Sequence, residues 1–389
     1  MALSRRLCAL AALPGLVLAC SPAEPTPAPA PVAASAVTKE AAPLHVPAPA
    51  APACGDARSV LAAMPLRDRL AQLLMVGVSG ADDARAVVAN HHVGGIMIGS
   101  WTDLSMLGGP LRAVHDAAGP IPLAVSVDEE GGRVSRLAGV IGAQPAPRAL
   151  AAAQTPDAVR AIARQRGEAM RGLGITVDFA PVVDLSDAPA DTVIGDRSFG
   201  ADPQTVTAYA GAYAQGLRDA GILPVLKHFP GHGRASGDSH TAGVVTPPLT
   251  ELEQADLVPY RTLTAQAPVA VMVGHMQVPG LTGTDPASLS PAAYALLRSG
   301  GYGGPPFGGP VFTDDLSGMR AITDRYGVAE AVLRSLRAGA DTALWLTTAE
   351  VPAVLDRLEA AVRAGELGED RVLDSAVRMA YAKGFTLSC

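Results

Sequence analysis

Eight short apolar runs recur along the chain, at residues 73–78, 94–98, 122–127, 175–183, 222–229, 269–275, 310–313 and 341–346. Runs this short and this continuously apolar suit strands buried on both faces. Between them lie stretches such as 155–173, 203–220, 252–267 and 328–338, whose apolar residues fall three and four apart, as on one face of a helix. Strict alternation of strand and helix predicts a parallel sheet. Eight such units fit a closed (β/α)8 barrel of TIM type better than an open doubly wound sheet. The open sheet usually has fewer strands and a glycine-rich phosphate turn after the first, and no G-x-G-x-x-G occurs there. The expected fold is α/β, one barrel, because no second proline-rich or charged linker divides the chain after residue 54.

The residues before that point read differently. Arg5 and Arg6 precede an apolar stretch at 7–19 that is too short to span a bilayer comfortably, and it ends in Val17-Leu18-Ala19-Cys20. This resembles a bacterial lipobox, with Cys20 lipidated and becoming the first mature residue; an ordinary signal peptide cut nearby is the alternative. Residues 21–53 hold nine prolines and twelve alanines in 33 positions, a composition that cannot pack and reads as an extended tether. The expected organisation is a lipoprotein signal peptide at 1–19, a lipidated linker at 20–53 and a catalytic domain at 54–389. Such a chain is exported and anchored by lipid to the cell envelope, on its periplasmic or cell-surface face. Once Cys20 is modified, Cys54 and Cys389 are the two free thiols left in an oxidising compartment, so a disulfide between them is an open expectation. Asp and Glu exceed Lys and Arg by 37 to 30, with no basic run past the first residues, which argues against nucleic acid as a partner.

The polar clusters fall at the C-terminal ends of the expected strands: Asp128-Glu129-Glu130, Asp184, Lys227-His228, His275 and Asp314-Asp315. In a barrel of this kind that end is the active-site face. The densest cluster is Lys227-His228-Phe229-Pro230-Gly231-His232-Gly233, followed by Gly237-Asp238-Ser239-His240. Its glycines suggest a mobile loop. Asp238 stands two residues from His240, close enough to orient the imidazole and favour its protonated form, a proton donor near neutral pH. A solvated loop that merely holds histidines is one alternative. Metal binding by His228, His232 and His240 is another, weak on a flexible loop without cysteine.

Near the seventh run, Asp314 and Asp315 point to opposite sides if the strand persists, so one of them faces the barrel mouth. Asp314 is the candidate nucleophile under an anomeric carbon, with the proton supplied from His240, although periodicity alone allows the two aspartates to exchange roles. Asp128, with Arg133 and Arg136 beyond a tight turn, can bind sugar hydroxyls and an acetamide or carboxylate oxygen, and Arg197 adds another guanidinium. For each of these segments taken alone, a loop salt bridge is as good a reading.

Together, Val127-Asp128-Glu129-Glu130-Gly131-Gly132-Arg133-Val134, Ile194-Gly195-Asp196-Arg197-Ser198-Phe199-Gly200, the histidine motif with Asp238-Ser239-His240, and Thr313-Asp314-Asp315-Leu316-Ser317 resemble glycoside hydrolase family 3. The similar branch is that of bacterial β-N-acetylhexosaminidases of peptidoglycan recycling, over residues 60–385. The resemblance implies release of terminal β-linked N-acetylglucosamine with retention. It makes Asp314 the nucleophile, His240 the general acid/base and Asp238 its partner, with Asp128, Arg136, Arg197, Lys227 and His228 holding the sugar. It implies a carbohydrate partner and a monomer, with no cofactor or metal. Phosphorylase or β-glucosidase activity, an inactive glycan-binding barrel, and substrate assistance through Asp128-Glu129 are the alternatives. Two departures stand out. Glutamine is more common where Glu129 stands, and Gly318 looks inserted before Met319.

Overall fold

The computed structural model describes residues 56–386. Cys20, the tether, Cys54 and Cys389, on which the anchor and disulfide expectations fall, lie outside the described residues. The eight expected strands all form: β1 (Leu74–Val78), β2 (Gly95–Ile98), β3 (Ala124–Val127), β4 (Val177–Asp178), β5 (Leu223–Phe229), β6 (Ala270–Val273), β7 (Val311–Asp315) and β8 (Thr342–Trp345). Each pairs in parallel with its sequence neighbours, and the sheet closes where Leu74 to Val76 of β1 register with Ala343 to Trp345 of β8.

Alternation along the strands sorts the core into two bodies. Met75, Met97, Ala124, Val177, Leu223, Val225, Ala270, Met272, Phe312 and Leu344 point inward and fill the barrel, together with Phe179. Phe179 and Phe312 meet edge to face at 5.6 Å. The residues between them, such as Val76, Val78, Ile96, Val125 and Val271, pack outward under the helices. The longest helices, α1 (Pro156–Gly172) and α2 (Pro203–Asp219), begin with proline at the first position behind Thr155 and Asp202. Those side chains accept hydrogen bonds from Ala158 N at 3.3 Å and Thr205 N at 2.8 Å. The two helices approach closely: a Cβ at Gly216 would fall 2.3 Å from the Arg160 carbonyl oxygen.

Three expectations shift in detail. The strand expected over 175–183 is regular for two residues, because Pro181 has no N–H to donate and interrupts the ladder. One bridge, Val182 with Lys227, resumes beyond it. The helix expected over 252–267 is two short ones, Leu249–Leu252 and Val258–Leu263, since Pro259 cannot donate back into a preceding turn. The run expected to end at 313 continues to Asp315, with a register shift against β8 between Phe312 and Asp315.

Candidate active site

The C-terminal ends of the strands open into a cavity of about 430 Å³, within the range of small-molecule sites. All eight sugar-binding and catalytic candidates line it: Asp128, Arg136, Arg197, Lys227, His228, Asp238, His240 and Asp314. They come from three strand ends and three loops, and the barrel brings them to one mouth.

At the polar wall, four charges form one buried group. Lys227 Nζ donates to Asp128 Oδ1 at 2.5 Å and pairs with Glu130 Oε1 at 2.6 Å. Arg197 donates to both Glu130 oxygens, from Nε at 2.8 Å and Nη2 at 2.9 Å. Burial opposes the charges of Glu130, Arg197 and Lys227. Arg197 and Lys227 nevertheless hold Glu130 well below the usual carboxylate range, and Asp128 and Glu130 raise Lys227. Sequence reasoning gave Glu130 no role, yet it holds two of the cations expected to bind sugar. Arg136, by contrast, is half-buried and has no hydrogen-bond or ion-pair partner among the described residues. Its guanidinium is the free donor set of this wall.

Glu129 turns away from the cavity. It is fully buried, accepts from Ser135 Oγ at 2.5 Å and Leu137 N at 2.8 Å, and pairs with Arg166. The charge of Glu129 is thus neutralised beneath the site. Substrate assistance by an Asp128-Glu129 pair would need both carboxylates at the cavity, and Glu129 is not there.

Asp184, at the end of the fourth unit, organises the histidine motif. Its Oδ2 lies 2.7 Å from His228 Nδ1, and its Oδ1 accepts from His232 N at 2.6 Å and His228 N at 3.3 Å. Asp184 is held below the usual range, burial being outweighed by His228, so Nδ1 carries the proton and donates. That leaves His228 Nε2 directed to Asp314 Oδ2 at 4.0 Å. His232 is buried, with Nε2 3.1 Å from Ser239 Oγ and Nδ1 unpartnered; burial pushes its pKa down. His228, His232 and His240 are thus tied to three different groups. Among the described residues no set of three His, Cys, Asp or Glu side chains is placed to hold a metal ion.

The aspartate pair on β7 corrects one expectation. Both Asp314 and Asp315 line the cavity, because the register shift breaks the alternation that would have separated them. Their chemistry still differs. Asp315 accepts from Ser317 N (2.8 Å), Ser317 Oγ (2.7 Å) and Gly318 N (2.8 Å), so its oxygens stabilise the turn that leads to the short helix Arg320–Thr323. Gly318 is part of that turn, and the helix expected after it forms. Among the described residues Asp314 accepts only from Asp315 N, at 2.8 Å. Burial pushes Asp315 up, while at Asp314 the same effect is outweighed by His228, His275, the Asp315 N–H and Lys227, and its carboxyl stays below the usual range. His275, fully buried, backs the pair: Nε2 lies 2.7 Å from the Asp315 carbonyl oxygen and Nδ1 2.6 Å from Ser288 Oγ.

On the loop, Asp238 Oδ1 accepts from His240 N at 2.9 Å and sits 2.7 Å from His240 Nδ1. These bonds outweigh burial and keep Asp238 below its ordinary value. His240 Nε2 has no partner among the described residues. The glycines of the motif have another use than the one expected. A Cβ at Gly231 would lie 2.6 Å from Asp256 Cβ, and one at Gly233 only 1.9 Å from the Leu185 carbonyl oxygen. These two glycines allow close packing at the base of the loop, and only Gly237 lies where the loop has room.

The comparisons fit this geometry. Residues 65–382 match the family described as glycosyl hydrolase family 3 N terminal domain. β-Hexosaminidase LpqI of Mycobacterium tuberculosis is 64% identical over the whole of both chains. Its solved structure superposes with a TM-score of 0.85 at 67% identity, covering 87% of this chain and 99% of that one. A family 3 β-N-acetylglucosaminidase from Paenibacillus sp. FPU-7 is 34% identical with a TM-score of 0.77, covering 83% of this chain and 63% of that one.

Proposed function

From the premise that the chain belongs to glycosyl hydrolase family 3 and is a glycoside hydrolase, we propose that it is a retaining β-N-acetylhexosaminidase. It releases terminal β-linked N-acetylglucosamine through a covalent glycosyl intermediate on Asp314. The observation that carries this reading is the division of labour between the adjacent aspartates: Asp315 is occupied by three turn donors, while Asp314 keeps an ionised, lightly bonded carboxylate in the cavity that also holds the His240–Asp238 dyad.

The steps follow from those groups. Asp314 attacks the anomeric carbon as the glycosidic bond breaks, and His240 Nε2 gives its proton to the leaving oxygen, stabilised as imidazolium by Asp238. The neutral imidazole then takes a proton from water as that water displaces Asp314, and two inversions give net retention. Lys227 and Asp128, held by Glu130, present fixed donors and acceptors to sugar hydroxyls, and Arg136 is available to an acetamide oxygen. A histidine in place of a second carboxylate would also tolerate an incoming phosphate, so a phosphorylase reading remains the second candidate.

Lipidation at Cys20 and export would put cell-wall fragments outside the cytoplasm within reach as the natural substrate; the lipobox-like sequence supports this part. The enzymatic test is turnover of p-nitrophenyl β-N-acetylglucosaminide against the β-glucoside, with and without phosphate. Faster turnover of the glucoside would overturn the substrate assignment, and a phosphate-dependent sugar phosphate product would replace hydrolase by phosphorylase. Cys20→Ser should release the full-length protein from the membrane fraction; unchanged partition would refute the anchor.

A further inference from the structure

The cavity has two chemically different sides. Asp128, Arg136, Arg197, Lys227 and His228, from the β3 to β5 side, supply the charged and hydrogen-bonding wall. Past Asp314 and Asp315 at the end of β7, the arc that continues over the ends of β8, β1 and β2, contiguous in the closed sheet, is apolar, with Met319, Leu346, Met97 and Trp101 at its surface. Trp101 follows β2 and is 45% exposed, whereas the chain's other tryptophan, Trp345, is fully buried.

The indole is seated by the absence of side chains beneath it. A Cβ at Gly99 would lie 2.3 to 2.5 Å from three atoms of the six-membered ring, and one at Gly77 2.7 Å from Trp101 Cζ2. Two glycines therefore let the ring lie against the strand ends, which restricts its rotamers, while the remainder stays open at the rim of the cavity. A large apolar surface left exposed beside a polar sugar site is the kind of patch that a ligand covers.

On the reading proposed above, we propose that Trp101 is the platform of the aglycone subsite and stacks against the pyranose ring of the leaving sugar. A β-linked gluco-configured ring carries its substituents equatorially, so its faces present axial C–H bonds and are apolar, matching the indole. The terminal sugar needs a partner for each hydroxyl and takes the polar wall. Asp314, on β7, stands where the apolar arc begins.

The experiment compares kcat/KM for the β-1,4-linked disaccharide of N-acetylglucosamine with that for N-acetylglucosaminyl fluoride, whose leaving group has no ring. Trp101→Ala should lower the disaccharide-to-fluoride ratio by roughly tenfold or more, about 1.4 kcal/mol, and Trp101→Phe should restore most of it. Titrating the wild type with the sulfur-linked, uncleavable disaccharide should shift tryptophan emission, and the shift should vanish in Trp101→Phe, where buried Trp345 alone reports. An unchanged ratio in Trp101→Ala, or an emission shift that persists in Trp101→Phe, would overturn the proposal. If the wild type shifts its emission but cleaves neither substrate, the hexosaminidase reading fails while the sugar platform stands.

Discussion

Replacing Glu130 by glutamine keeps the shape of the side chain and removes one charge from a buried group of four. Asp128, Glu130, Arg197 and Lys227 sum to zero; in Glu130→Gln the same volume holds an uncompensated positive charge. The lost partner is fully buried, and it touches two cations at 2.6 to 2.9 Å that are themselves 2% and 11% exposed. Removing one member of a buried ion pair costs about 3–5 kcal/mol. Two cations lean on Glu130 while Asp128 retains one of them, so a loss of about 4 kcal/mol is expected. Glu168→Gln, which breaks the exposed Arg164 pair at 3.2 Å, should cost no more than about 0.5 kcal/mol and serves as the control. Urea unfolding monitored by far-UV circular dichroism gives both numbers, provided the slope is unchanged. The pH dependence follows from the depressed folded-state value of Glu130: its contribution is complete above the unfolded glutamate pKa and lost as pH falls through the lower folded one. The gap between wild type and variant should thus hold steady from pH 7 to 5 and narrow only below about pH 4.3. A difference under 1 kcal/mol, or a gap already closing between pH 7 and 5, would refute the reasoning.

Other outcomes follow from the same geometry. Asp314→Asn should leave the fold intact and lower kcat by about 10³–10⁵-fold. Asp315→Asn should instead act mainly on stability, by about 1–3 kcal/mol through its turn donors; a greater loss of kcat in Asp315→Asn would reverse the assignment. In Asp238→Asn the carboxylate 2.7 Å from His240 Nδ1 is lost, so proton donation to the leaving oxygen weakens, and kcat/KM should fall by about 10²–10⁴-fold for an alkyl glycoside and far less for a dinitrophenyl glycoside, which leaves without a proton. Equal losses on both glycosides would separate Asp238 from the proton donor. Hydrogen exchange over residues 234–243 should slow when N-acetylglucosamine binds, whereas equal rates would mean the loop does not close on the sugar.

How much of this is legible in the sequence depends on range. Strand order and the clustering of Asp128, Lys227, His228 and Asp314 were readable because short continuous apolar runs and the chirality of parallel units leave few topologies, and those residues stand at run ends. Local breaks were not readable. The register shift that turns both Asp314 and Asp315 into one cavity arises from pairing with β8, and no pattern within residues 311–315 reveals it. Glu130 and Asp184 were visible as polar residues at strand ends, but their work is done through partners 67 and 44 residues away. The glycines at 231 and 233 looked like sources of flexibility, since sequence alone does not say that Asp256 and Leu185 press against them. Trp101 carried no motif, and its meaning depends on Gly77 and Gly99 lying beneath it.

The central claim is covalent catalysis by Asp314, and it can be tested by trapping. The enzyme would be mixed with a fluorinated N-acetylglucosaminyl fluoride that forms the intermediate faster than water removes it, then digested and analysed by mass spectrometry, with the anomer released from an ordinary substrate followed by proton NMR. A single sugar adduct on Asp314, with the β-anomer appearing first, is the predicted result. An adduct on Asp315, or no adduct together with initial release of the α-anomer, would contradict it.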